Sequence, residues 1–198
     1  MTTPDTATSE AQATAAEVAA PPRDFIVLLP PGWVRIPLDG RERARAIALA
    51  TAKVASLPEP QRSAVRERLV QMIKAGLRQA RQAGGIDILM SLAERNGVPI
   101  PASCLVSYVD EGAPIPMDML ADNLATEGGD AKLVTIAGRP AVRYRHMDEP
   151  PVTRLDYMMT IPGKSGMLTL AFSTPLEPLA EPLVVLFDAI TETLRWVK

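Results

Sequence analysis

Three extended runs with a side-chain period of two, followed by one helical stripe, occupy the C-terminal part of this chain and limit what it can fold into. From Ala141 to Met147, Val142, Tyr144 and His146 alternate with Arg143 and Arg145. From Thr153 to Ile161, Thr153, Leu155, Tyr157, Met159 and Ile161 alternate with Arg154, Asp156, Met158 and Thr160, and from Met167 to Ser173, Leu168, Leu170 and Phe172 share a side. Successive side chains of a strand point to opposite faces, so neighbouring runs of this kind predict an antiparallel meander buried mainly on one face and polar on the other. Leu179, Leu183, Leu186, Phe187, Ile190, Leu194 and Val197 then recur at spacings that a helix gathers into one stripe. That stripe needs an apolar partner, and the Leu/Tyr/Phe side of the meander is the nearest one.

Upstream, Phe25 to Leu29 is a continuous apolar run that predicts a strand covered on both faces or a central one. Pro30, Pro31 and Gly32 end it, and Trp33 is placed to plug the end of the core. Asp39 and Glu42 fit a capping box that opens a helix, with Ala44, Ile47, Ala48, Thr51 and Val54 or Ala55 on one face. A second helix is predicted from Pro60 to Ala83, with Val65, Leu69, Met72, Ile73, Gly76, Leu77 and Ala80 inward, so the two form a helical hairpin. Ile86 to Ala93 reads as a strand with Ile86, Ile88, Met90 and Leu92 on one side. A tight turn at Asn96 and Gly97 leads to a strand from Ala102 to Val109. A short helix over Met117 to Leu124 and a strand from Lys132 to Ile136, turning at Gly138, complete the series. The fold class is therefore α+β, a mainly antiparallel sheet covered by helices. Residues 24–198 are expected to form one domain, and residues 1–23, poor in bulky apolar groups, a disordered acidic tail.

The composition, 47% hydrophobic and 22% charged, supports a sizeable core, while 4% aromatics makes that core aliphatic. A net charge of −2 gives no global reason to bind nucleic acid or an anionic membrane. Cys104 is the one cysteine and His146 the one histidine, which excludes an intrachain disulfide and the common His/Cys zinc sites. No apolar run reaches the roughly 18 residues of a membrane-spanning helix. The absence of a basic residue before Arg23 argues against a secretory signal and for a cytoplasmic protein. P-loop, dinucleotide, nucleophile-elbow and paired-carboxylate motifs are all absent, so no catalytic residue, metal or cofactor is expected and a non-enzymatic role is preferred.

Charge is the clearest local anomaly. Between Gly40 and Gln82, Arg41, Arg43, Arg45, Lys53, Arg62, Arg66, Arg68, Lys74, Arg78 and Arg81 face only Glu42, Glu59 and Glu67. This hairpin is either a solvated helical surface, the reading preferred here, or an electrostatic surface for an acidic protein, RNA or lipid. On the meander, Arg143, Arg145 and Arg154 are expected to cluster with Asp156; cross-strand ion pairing is the preferred reading of that cluster, and the three arginines are retained as the candidate binding residues, able to hold a carboxylate or phosphate by two-point contacts. His146 reads as a hydrogen-bonded interior histidine and Cys104 as a small buried hydrophobe.

The order of these elements, with Pro30-Pro31-Gly32-Trp33 after the opening strand, Leu168-Thr169-Leu170-Ala171-Phe172-Ser173-Thr174 in the last long strand and Leu194-Arg195-Trp196 at the end, resembles the PsbP-like α/β/α sandwich family and similar small actinobacterial proteins. That resemblance implies binding and accessory roles and adds no catalytic residue. The expected function is a non-enzymatic protein engaging an acidic protein partner. Its alternatives are a small-ligand carrier or small enzyme with a pocket near His146, and nucleic-acid binding through residues 40–83.

Overall fold

The computed structural model describes residues 24–38, 41, 44–45, 48, 52, 61–96, 98–109, 116–147 and 152–197; the side chains of residues 24, 61, 62, 64, 65, 68, 69 and 72 lie outside that description. Its centre is a seven-stranded sheet of β2 (Trp33–Pro37), β3 (Gly85–Ser91), β6 (Ser103–Val109), β7 (Asp130–Ile136), β8 (Arg139–Arg145), β9 (Thr153–Thr160) and β10 (Met167–Thr174). Their spatial order is β2-β3-β6-β10-β9-β8-β7, with every neighbouring pair antiparallel. The meander predicted from alternation is therefore present as β7 to β10. Two short two-stranded sheets accompany it: β1 (Asp24–Ile26) with β11 (Arg195–Val197), and β4 (Glu94–Arg95) with β5 (Val98–Pro99).

The register defines two faces. Arg143 pairs with Tyr157, Tyr157 with Leu170, and Leu170 with Val106, so these four side chains lie on one side of the sheet. Helix α3 (Ala180–Glu192) covers that side with Leu183, Val184, Phe187 and Ile190, all buried in the main core with Leu155, Tyr157, Leu170 and Phe172. On the other face α1 (Gln61–Gln82) sets Leu77 and Ile73 against Ile36, Val34, Ile88 and Met90, while α2 (Met117–Thr126) sets Met117, Leu120 and Leu124 against Val142, Met158 and Met167. The molecule is thus an α/β/α sandwich.

This corrects the expectation of a wet sheet face. Alternating residues on both sides are apolar enough to take a helix, and Ala141 and Val142, adjacent on β8, are both fully buried. Leu89, on the polar side of the predicted strand, is likewise at 0% exposure, and its neighbour Asp87 is buried and paired with Arg35. Three local expectations are also revised. The opening strand is short and, among the described residues, pairs with β11 alone, leaving Ile26 and Leu28 exposed. The terminal helix ends at Glu192, and Arg195–Val197 turns into the strand that β1 pairs with. Gly76 is exposed on α1 and not inward. Of the first helix of the predicted hairpin, Ala44, Arg45, Ala48 and Ala52 are helical, and Asp39, Glu42 and its other named residues lie outside the described residues, as does Gly97.

At Gly129, as at Gly85 and Gly166, packing leaves no room for a Cβ. A Cβ on Gly129 would stand 2.2 Å from Tyr144 Cε2, so the bare backbone after α2 is what leaves room for this ring.

Candidate functional site

The three candidate arginines separate in the fold. Residues of equal parity pair between β8 and β9, which puts Arg143 and Arg145 on the α3 face, whereas Arg154 follows the even-numbered set to the opposite face beside His146. They form no single cluster.

On the α3 face, Arg143 meets Asp188 through Nε to Oδ1 at 2.7 Å and Nη2 to Oδ2 at 3.1 Å, a two-point charge-assisted pair. The Tyr157 hydroxyl donates to the same Asp188 Oδ1. Arg145 grips Glu181 with Nη2 to Oε1 at 2.5 Å and Nη1 to Oε2 at 3.1 Å. The hydrogen bond to Asp188 raises the Arg143 pKa further above its ordinary value, and that to Glu181 does the same for Arg145. In return, the Arg145 hydrogen bond and charge hold the Glu181 carboxyl below the usual carboxylate range. These arginines fasten the sheet to its own helix. Asp188 and Glu181 were the residues to match with them: they lie one heptad apart on the predicted helix, flanking its apolar stripe, as a pair of acids opposite a pair of bases.

On the other face, the register aligns His146, Arg154, Ser173 and Ser103 in one row across four strands, with Tyr144, Asp156, Ala171 and Leu105 in the next. His146 Nε2 lies 2.8 Å from Asp156 Oδ2, and the Tyr144 ring meets the imidazole edge-on at 4.5 Å between centroids. The Ser103 and Ser173 hydroxyls are 3.1 Å apart. Neither apolar cluster under α1 or α2 includes these eight residues. His146 is thus the hydrogen-bonded, largely enclosed histidine expected. Cys104, on the α3 face of β6, is fully buried; burial pushes its thiol pKa well up, and the charges of Asp156 and Asp87 add to the effect, so it has none of the thiolate character a nucleophile needs.

The third feature is α1. Within Gln61–Gln82 stand Arg62, Arg66, Arg68, Lys74, Arg78 and Arg81 against Glu67 alone, and Arg66, Arg78 and Arg81 are exposed. Among the described residues no group of three or more His, Cys, Asp or Glu side chains could hold a metal ion. No described helix is long and apolar enough to cross a membrane.

No protein-family model matches the chain, and no curated protein matches it. Among solved structures, it is similar to the solution structure of cyanobacterial PsbP (CyanoP) from Synechocystis sp. PCC 6803, at 14% identity over 87% of this chain and 86% of that one, with a TM-score of 0.45.

Proposed function

We propose that this chain is a non-enzymatic binding or accessory protein that engages an acidic protein partner through the basic surface of α1. The observation that carries this reading is a contrast between two sets of cations. Arg143 and Arg145 are taken up by Asp188 and Glu181 of the same chain, whereas α1 holds six basic residues to one acidic residue, with Arg66 and Arg78 exposed. Like charges along one helix repel, and a polyanionic partner relieves that repulsion.

The test is fluorescence anisotropy of labelled polyglutamate, and of single-stranded DNA of equal length, with the wild-type chain and an Arg66→Glu/Arg78→Glu variant over a salt series. Polyglutamate association that weakens with salt and drops at least about tenfold in the variant is expected, since each lost contact carries a share of the electrostatic free energy. No association at low salt, or an unaffected variant, would overturn the reading. Tighter, salt-sensitive binding of the DNA would replace it with nucleic-acid recognition.

A second reading, a small-ligand carrier or small enzyme near His146, is favoured by the His146–Asp156 contact and by the row of Arg154, Ser173 and Ser103 beside it. Loss of ligand binding or turnover in His146→Ala at unchanged stability supports it, and simple destabilisation assigns the histidine to the core.

A further inference from the structure

A depression of about 520 Å³ opens between the β7–β8 turn and β11, lined by Ala137, Gly138, Arg195 and Trp196. We infer that it is a binding site for the carboxylate of an organic acid with a flat apolar body. The volume lies within the range of roughly 300 to 1,000 Å³ that small-ligand sites occupy. Its floor stays open because the turn is built from two small residues with positive φ, Ala137 at 49° and Gly138 at 74°, the two-residue pattern of a type I′ hairpin.

The wall carries an excess of donors. Arg195 Nη1 donates to the carbonyls of Glu192 at 2.9 Å and Leu194 at 2.6 Å, at the C-terminal end of α3. Two backbone acceptors hold one arm of the guanidinium in place and leave Nε and Nη2, the edge geometrically matched to a carboxylate, for another acceptor. Trp196, which lines the depression, carries a buried indole Nε1 donor without a hydrogen-bond partner among the described residues. A buried donor left unpaired is costly, and none of the described lining residues carries a carboxylate to satisfy it. A ligand acceptor entering this corner meets the Arg195 guanidinium beside the Trp196 indole; its apolar body meets the Ala137 methyl and the Trp196 ring system.

The inference is independent of α1. It is tested on the full chain by following the two indole N–H signals by NMR, assigned with Trp196→Phe, during titration with benzoate, with benzyl alcohol as the neutral analogue, and with polyglutamate as the peptide source of the same group. Benzoate is expected to move the Trp196 signal saturably, to leave Trp33 in place and to lose at least tenfold in affinity in Arg195→Gln; benzyl alcohol is expected to do nothing. Movement with polyglutamate and not with benzoate upholds the carboxylate site and assigns it to an acidic peptide. Arg195→Lys keeps the charge without the fork, so it should fall between wild type and Arg195→Gln, and it decides the matter if Arg195→Gln fails to fold. A motionless Trp196 signal, an equal response to benzyl alcohol, or indifference to both Arg195 variants would overturn the assignment.

Discussion

Arg143 on β8 and Asp188 on α3 form a two-point ion pair that ties the sheet to its helical cover, with the Tyr157 hydroxyl donating to the same carboxylate. The side chains are 15% and 32% exposed, so the pair is enclosed on the arginine side and partly wet on the other. Removing one partner of a fully buried pair costs about 3 to 5 kcal/mol, and solvent at Asp188 reduces this. Asp188→Ala should therefore lower the unfolding free energy by about 2 kcal/mol in urea titrations. A double-mutant cycle with Arg143→Ala should return a coupling of about 1 kcal/mol. Additive effects would show that the two residues act separately.

The second contact, Arg145 with Glu181, lies in solvent and reports through pH. Its hydrogen bond holds the Glu181 carboxyl below its ordinary value of 4.5. A carboxylate with a depressed folded-state pKa stabilises fully above its unfolded value and loses that contribution as pH falls through the folded one. The gap in urea midpoint between wild type and Arg145→Gln should thus be widest at neutral pH and close in acid below about 4.5. A gap that persists at the acid end would contradict the pairing.

Phe187 anchors α3 by packing. It is completely buried, stacked on Phe172 at 4.7 Å and 20°, and set edge-on to Trp33 at 6.4 Å and 80°. Phe187→Ala should cost about 3 to 5 kcal/mol, a large part of the 5 to 15 kcal/mol of an ordinary domain. Truncation before Leu179 should leave insoluble protein. A soluble, cooperatively folding truncation would make α3 peripheral.

At Gly129 the prediction is steric. The Cβ of Gly129→Ala would fall 2.2 Å from the Tyr144 ring, so the substitution should cost about 1 to 3 kcal/mol. Most of that cost should vanish in a Tyr144→Leu background, measured by thermal unfolding of the four variants. An equal penalty in both backgrounds would place the strain in the backbone.

Much of this fold is legible from periodicity. The parity of Leu155, Tyr157 and Met159 against Leu168, Leu170 and Phe172 specifies the meander, and the three-four spacing through Leu183, Phe187 and Ile190 specifies α3. What periodicity cannot give is which face a helix takes when both are apolar, as at Ala141 and Val142. Nor does it give the parity of the β8–β9 register, which sent Arg154 away from Arg143 and Arg145. The end of α3 was hidden for a related reason. Leu194 and Val197 continue the helical spacing with no Gly or Pro to interrupt it, and the strand forms because β1, distant in sequence, pairs there. The α3 acids were visible one by one; their partners depended on that unseen register.

The central claim is that acidic partners meet α1 and not the sheet arginines. Two lysines report on the two surfaces: Lys74 lies within α1, and Lys132 on β7 stands directly opposite Arg143 in the register. A carbodiimide joins carboxylates to lysine amines without a spacer, so cross-linking the full chain to polyglutamate and mapping the products by mass spectrometry reads the site directly. The account predicts dominant modification at Lys74, suppressed by added salt and by Arg66→Glu/Arg78→Glu. Dominant modification at Lys132, although its side chain is held by Asp130 at 2.8 Å, would contradict it and return the binding role to the sheet.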